Sequence, residues 1–107
     1  MRWAAIVLAA AALAAPALAA TGNPVAGRTV FRARCGTCHT LKAAGTVAKN
    51  PNAGPSLTGK RETVARIMRQ LSGASGGAMP TFLGVLSTKQ VNDVVAFVVQ
   101  GSKPGAK

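Results

Sequence analysis

The chain has 107 residues, 49% of them apolar, with 12 Gly, 6 Pro and 2 Cys, which is enough for one small domain and too little for two. Thirteen Lys and Arg against two Asp and Glu give a formal charge of +11, while one Trp, three Phe and no Tyr leave little aromatic bulk for a core. Collagen, coiled coil and disulfide-dense scaffold are excluded, and the apolar share does not suit a disordered basic tail.

Met1 and Arg2, followed by the apolar run Trp3 to Leu13, form a short positive region and a hydrophobic region of secretory type. Pro16 breaks that run and Ala17-Leu18-Ala19 places small residues at alternate positions, so residues 1–20 read as a signal peptide cleaved after Ala19 or Ala20. An uncleaved membrane anchor is the rival reading. Trp3 to Ala20 reaches the lower limit of the ~17–25 residues that cross a bilayer, but it is mostly weakly hydrophobic Ala and contains Pro16. Export places Cys35 and Cys38 in the periplasm or an equivalent compartment, where thiols stay reduced only if something occupies them. After cleavage the chain keeps Glu62 and Asp93 as its only acids and Phe31, Phe82 and Phe97 as its only rings. A domain this small buries only somewhat more than ~60% of the surface its unfolded chain exposes, so a staple is expected.

Residues 21–100 read as one helical domain. Asn23 is an N-cap followed by Pro24 at the first helical position, and the helix runs to about Arg34 with Gly27, Val30 and Phe31 on one face. Gly27 and Phe31 lie one turn apart, so a second helix could approach the backbone at Gly27 while Phe31 fills the space beside it. From Thr40 to Lys60 no period appears, and Gly and Pro punctuate a loop too long for so small a domain unless it wraps something. Val64, Ile67, Met68 and Leu71 restore the helical stripe, which ends at Gly73. The last element, Val94-Val95-Ala96-Phe97-Val98-Val99, would pass for a strand by composition. Its flanks decide for helix: Ser87 and Gln90 form a capping box, Gly101 follows the last apolar residue, and Val91, Val94, Val95 and Val98 repeat the stripe. Residues 101–107 read as a flexible C-terminal tail.

The two cysteines and the only histidine stand together as Cys35-Gly36-Thr37-Cys38-His39. This is the spacing of c-type haem attachment: two thiols three positions apart each add to one vinyl group of a porphyrin, and the adjoining His is held beneath the iron. Gly36 is expected to leave space for the ring edge. A zinc site would need further ligands and would have to recruit Glu62 or Asp93. A redox dithiol wants a βαβ context, and a Cys35–Cys38 disulfide closes too short a loop to stabilise much and leaves His39 unexplained. For the sixth iron position Met is the soft candidate. Met68 lies on the apolar stripe of a helix and reads as core, whereas Met79 sits in a loop stiffened by Pro80 and reads as a ligand.

These residues, with Gly54-Pro55-Ser56-Leu57, Ala78-Met79-Pro80 and Asp93 to Phe97, resemble class I c-type cytochromes of the small soluble bacterial mono-haem kind, from Gly27 to Gln100. The resemblance implies an all-α fold whose first and last helices cross near Gly27, one covalently attached haem c, and His39 and Met79 as axial ligands. It also implies that the Pro55 carbonyl accepts a hydrogen bond from His39. The chain departs from the family in having Phe97 where Tyr is common and no aromatic from Val64 to Leu71, which leaves the haem-propionate donors unnamed.

The function expected is an exported one-electron carrier rather than an enzyme, working between redox proteins with acidic docking faces, such as a membrane-bound oxidase, reductase or reaction centre. The alternative is a haem protein with an open sixth position, acting as a gas or peroxide sensor or enzyme. Nucleic acid is not an expected partner, since the chain carries an export signal and lacks stacking aromatics. Once cleaved, the protein is not expected to span a membrane.

Overall fold

The computed structural model describes residues 22–107 other than 51, 53, 75 and 76; the signal peptide expected at 1–20 lies outside the described residues. Asn23 begins the first helix as its side chain predicts, its Oδ1 accepting from the N–H groups of Val25 and Ala26 at 2.8 and 3.2 Å. With Pro24 at the first position, helix α1 runs over Pro24–Arg34 and buries Gly27 and Phe31. Helix α2 spans Val64–Leu71, capped by Thr63, whose hydroxyl accepts from Arg66 N–H, and it stops just before Gly73, which adopts a left-handed φ of 76°.

Helix α3 spans Thr88–Gly101, and the valine-rich run is helical throughout. Both halves of the capping box form, with Gln90 N–H on Ser87 Oγ at 3.1 Å and Ser87 N–H on Gln90 Oε1 at 2.9 Å. That cap fixes the helical start, and the 3.6-residue spacing then buries Val91, Val94, Val95 and Val98 together, which outweighs the strand preference of β-branched side chains. Among the described residues there is no strand, only isolated bridges at Leu41–Thr46 and Leu83–Leu86, so the fold is all-α as expected. No helix among these residues is long and apolar enough to cross a membrane.

α1 and α3 cross at Gly27. A Cβ there would run into the carbonyl oxygen of Asp93 and stand 2.8 Å from Cβ of Phe97, so only glycine permits the approach. One turn on, the rings of Phe31 and Phe97 meet with centroids 5.8 Å apart and planes tilted by 60°. Asp93, buried at the same crossing, accepts from Lys89 Nζ at 2.7 Å on one oxygen and from Asn23 N–H at 2.8 Å on the other. One carboxylate thus ties the start of α1 to α3.

The stretch from Thr40 to Lys60 is more ordered than its lack of period predicts. Leu41 and Ala44 are both 0% exposed, anchoring a 3₁₀ turn over Lys42–Ala44 in the core cluster. Arg28 Nε donates to the carbonyl of Ala43 at 3.1 Å, and Ala43 and Leu41 also lie against Gly101. Two apolar anchors without a repeat leave no periodic signal. The tail is also shorter than expected. Gly101 closes α3, and Ser102 is 0% exposed, its carbonyl accepting from Arg61 N–H and its Oγ from Glu62 N–H, each at 2.9 Å.

Two outcomes follow from the crossing. Gly27→Ala should cost at least the ~1–3 kcal/mol of ordinary overpacking, because the obstacle is backbone; a denaturant midpoint equal to that of the parent protein would refute the close approach. Lys89, then the Asn23 N–H, hold the Asp93 carboxyl below the usual carboxylate range. Its folded pKa therefore lies under the unfolded value of about 3.9, so its contribution is complete above that pH and is lost as pH falls through the folded value. Melting temperatures taken below about pH 4 should fall more steeply for the parent than for Asp93→Asn; parallel curves would refute the linkage.

Candidate functional site

Where α1 ends, the backbone winds tightly around the two thiols. Cys35 N–H bonds to the Phe31 carbonyl at 2.7 Å, and the N–H groups of Cys38 and His39 turn back onto the Cys35 carbonyl at 3.1 and 3.0 Å. Gly36 is buried here, but against Thr46 rather than at an open edge: a Cβ would meet the Thr46 methyl at 2.7 Å. Both cysteines are free and half-buried. Burial first, and the neighbouring Cys38 second, push the Cys35 thiol up to about 11, so at neutral pH it is a protonated, apolar group.

His39 follows directly, and its ring is fixed from the side. Nδ1 lies 2.8 Å from the Pro55 carbonyl oxygen, which can only accept, so Nδ1 donates, and in the neutral ring Nε2 is the nitrogen that carries the lone pair. Gly54 allows that contact, since a Cβ there would stand 2.7 Å from Cε1 of His39 and 2.9 Å from the Cys38 carbonyl oxygen. Thr40 holds the two segments together: its carbonyl accepts from Leu57 N–H at 2.9 Å and its hydroxyl from Ala48 N–H at 2.9 Å.

Cys35, His39 and Met79 all line one cavity of about 380 Å³. Its apolar walls come from Phe31 of α1, Ile67 and Leu71 of α2, Val94 and Val98 of α3, and Leu57 of the intervening loop. Gly77, Ala78 and Met79 enter from the segment after α2, which is tied to that helix by Phe82 N–H and Thr81 Oγ1, both donating to the Leu71 carbonyl at 2.8 and 3.1 Å. Met79 is on the cavity lining and Met68 is not, and both pack against the core cluster. Cys38 is not part of the lining. Glu62, Arg66 and Gln70 are, and no local pattern marks them, because their place depends on how α2 docks.

The volume falls in the ~300–1,000 Å³ range of cofactor pockets. Its donor set is one neutral imidazole nitrogen and one thioether beside a thiol in an apolar shell, which suits a low-charge, soft iron centre in a flat apolar ring. A bare metal ion is a poorer fit, since no group of three or more His, Cys, Asp or Glu capable of holding one occurs among the described residues. The residues present therefore fit haem.

The family described as cytochrome c oxidase, cbb3-type, subunit III matches residues 22–98. The chain is 35% identical over 89 residues to a cytochrome c6 of Limnospira maxima, the match covering 78% of this chain and 99% of the relative. It is also 35% identical over 89 residues to a cytochrome c6 of Leptolyngbya boryana, covering 78% of this chain and 98% of that one. No solved structure matches it at a significant level. A tight Cys-X-X-Cys-His turn opening onto an apolar cavity, and relatives matched over nearly their whole length, lead to one conclusion: the chain belongs to the small class I c-type cytochromes, and its cofactor is one covalently attached haem c.

Proposed function

We propose that this cytochrome is an exported one-electron carrier, with thioethers at Cys35 and Cys38 and iron ligation by His39 Nε2 and Met79 Sδ. The observation that carries the proposal is the His39 Nδ1 to Pro55 oxygen contact of 2.8 Å in a cavity that Met79 also lines. Haem c supplies an Fe(III)/Fe(II) couple. Everything else is set by the chain. Each thiol would add across a vinyl group, its sulfur to one carbon and its hydrogen to the other, so attachment would need no net oxidation. The Pro55 carbonyl holds the His39 ring through Nδ1 and would make Nε2 a better donor. His39 and Met79 would hold the iron, and a neutral imidazole with a thioether would favour the ferrous state, raise the potential and leave no site for substrate. Ligation is supported over an open sixth position by Met79 on the lining, in a segment tied to α2 through Thr81 and Phe82.

Electron exchange requires an encounter, and the charge distribution sets the kind of partner. Both acids are already committed, Glu62 to Arg66 at 3.8 Å and Asp93 to Lys89 at 2.7 Å. The exposed Arg28, Arg32 and Arg34 on α1 and Lys42, Lys49, Lys60, Arg61 and Arg69 beyond it leave a strong positive field. The partner is an acidic redox protein in the periplasm or an equivalent compartment, since such a field accelerates encounter by about 10–10³-fold at low salt.

Met79→Ala should abolish the near-red absorption band of Fe–S(Met) bonding in the oxidised protein and lower the reduction potential. Met68→Leu should leave both, as a volume-conserving core swap costing under ~1.5 kcal/mol; the reverse pattern would reassign the ligand. Stopped-flow electron transfer to an acidic redox protein should slow as the Debye length shrinks towards ~8 Å at moderate salt. Rates independent of salt would contradict steering.

A further inference from the structure

Haem carries two carboxylates as well as iron, and the sequence names nothing to receive them. The Tyr and Trp common in the family are replaced here by Phe97 and by the aliphatic stripe of α2. Apart from Cys35, His39 and Met79, the only polar side chains on the cavity lining among the described residues are Glu62, Arg66 and Gln70. Arg66 and Gln70, four residues apart on α2, are rotated by only about 40° and share a face, and Glu62 pairs with Arg66 from the segment just before the Thr63 cap. A porphyrin of this type carries its propionates on the half of the ring away from the thioether positions. With Cys35 at the thioether edge and the rest of the lining apolar, this face of α2 is where two carboxylates can find donors.

Resting on the haem c reading above, we infer that Arg66 is the cation that binds the haem carboxylates, and that Glu62 is the positioning residue that keeps its guanidinium at the cavity. Arg66 is the only Lys or Arg on the lining among the described residues. Its side chain is 68% exposed and reaches the rim, while that of Glu62 is only 12% exposed. The nearer member of the pair is fixed through its backbone: Glu62 N–H donates to Ser102 Oγ and Arg61 N–H to the Ser102 carbonyl, with Ser102 itself fully buried at the end of α3. Arg61 is held by those bonds at a φ of 54°, a left-handed conformation that a non-glycine residue adopts only when its surroundings enforce it. The carboxylate is therefore set by the fold and the guanidinium swings to it. The contact, Arg66 Nε to Glu62 Oε1 at 3.8 Å, is longer than the ~2.7–2.9 Å of a charge-assisted hydrogen bond. Glu62 thus orients the group without using up its fork, which has five N–H donors and matches carboxylates in pairs.

Glu62 and the propionates have the same sign in one cavity, and Arg66 stands between them as the compensating charge. Negative charge near the iron favours Fe(III), so losing Arg66 lowers the potential and losing the Glu62 charge raises it.

The test is voltammetry of the purified haem-loaded protein and of Arg66→Gln, Arg66→Lys, Glu62→Gln and the double variant Arg66→Gln/Glu62→Gln, with resonance Raman of the propionate bending band. Arg66→Gln should lower the potential and move the band; Arg66→Lys should restore most of the potential but not the band, since it keeps the charge and loses the fork. Glu62→Gln should raise the potential, and the double variant should lie below Glu62→Gln alone, showing that Arg66 acts on the haem and not only on Glu62. An unmoved potential and band in Arg66→Gln would overturn the assignment, as would a double variant equal to Glu62→Gln. The Fe–S(Met) band keeps the two readings apart: its loss in the parent protein refutes the ligation scheme, whereas a normal band with an unresponsive Arg66→Gln refutes only the propionate site.

Discussion

The approach of α1 to α3 at Gly27 is the constraint on which the site depends. Gly27, Phe31 and Cys35 are spaced by four residues, so the crossing point, the aromatic wall of the cavity and the first thiol follow one another along one face of the helix and into its C-cap. On the partner helix, Asp93 and Phe97 meet Gly27, while Val94 and Val98 line the cavity. A side chain at Gly27 would push the helices apart and carry Cys35 away from Val94 and Val98 with them. Close-packed interiors transmit such a shift instead of absorbing it, which couples the stability of the crossing to the placement of the attachment point.

Acidic residues are scarce in this chain, and neither one is spent on solubility. Asp93 is buried at the crossing, where it orders the N-terminus of α1 through Asn23 N–H. Glu62 stands at the cavity, fixed from the end of α3 through Ser102. Each is paired with a cation four residues further or four residues back on its own segment, Arg66 and Lys89, so the pairs hold local geometry and leave the outward field to the unpaired basic residues. With the cation of each pair largely exposed, the Coulomb attraction itself adds little stability. Their value here lies in where they place a carboxylate.

How much of this was legible depends on whether the information is local. The Asn23 and Ser87 caps and the α2 stripe each lie within a few residues, and each reads correctly from chemistry at that range; the Cys35-to-His39 motif is equally local. The two methionines also differ in local setting, Met68 on a helical stripe and Met79 before Pro80, and of the two Met79 is on the lining. What escapes the sequence is whatever is defined by a distant partner. Leu41 and Ala44 carry no period, yet they are as buried as any residue, because α1 and α3 supply their neighbours. Ser102 reads as tail and becomes a fully buried cap for the backbone of Arg61 and Glu62. Gly36 reads as clearance for the ring and turns out to be clearance for Thr46. The polar face Glu62, Arg66 and Gln70 looks like an ordinary solvated helix surface until α2 is docked.

The same residues serve as protein core and cofactor wall, and this explains why so poor an aromatic composition suffices. Phe31, Leu71, Val94 and Val98 belong to the buried cluster and also line the cavity, with Leu57 and Ile67 packed at its margin. Their inner surfaces are apolar and face one cavity, so burying them takes an apolar body, at about 25 cal/mol per Å² of surface removed from water. Haem c is that body: it supplies the aromatic mass that three phenylalanines cannot, and its thioethers act as the staple a domain of this size requires. Solvent exclusion around the iron is then a by-product of packing, and it strengthens every charge the chain places nearby. The cavity wall and the protein core therefore draw on the same handful of apolar side chains, and the polar groups among the described lining residues, Cys35, His39, Glu62, Arg66, Gln70, Met79 and the Pro55 carbonyl, stand out against them.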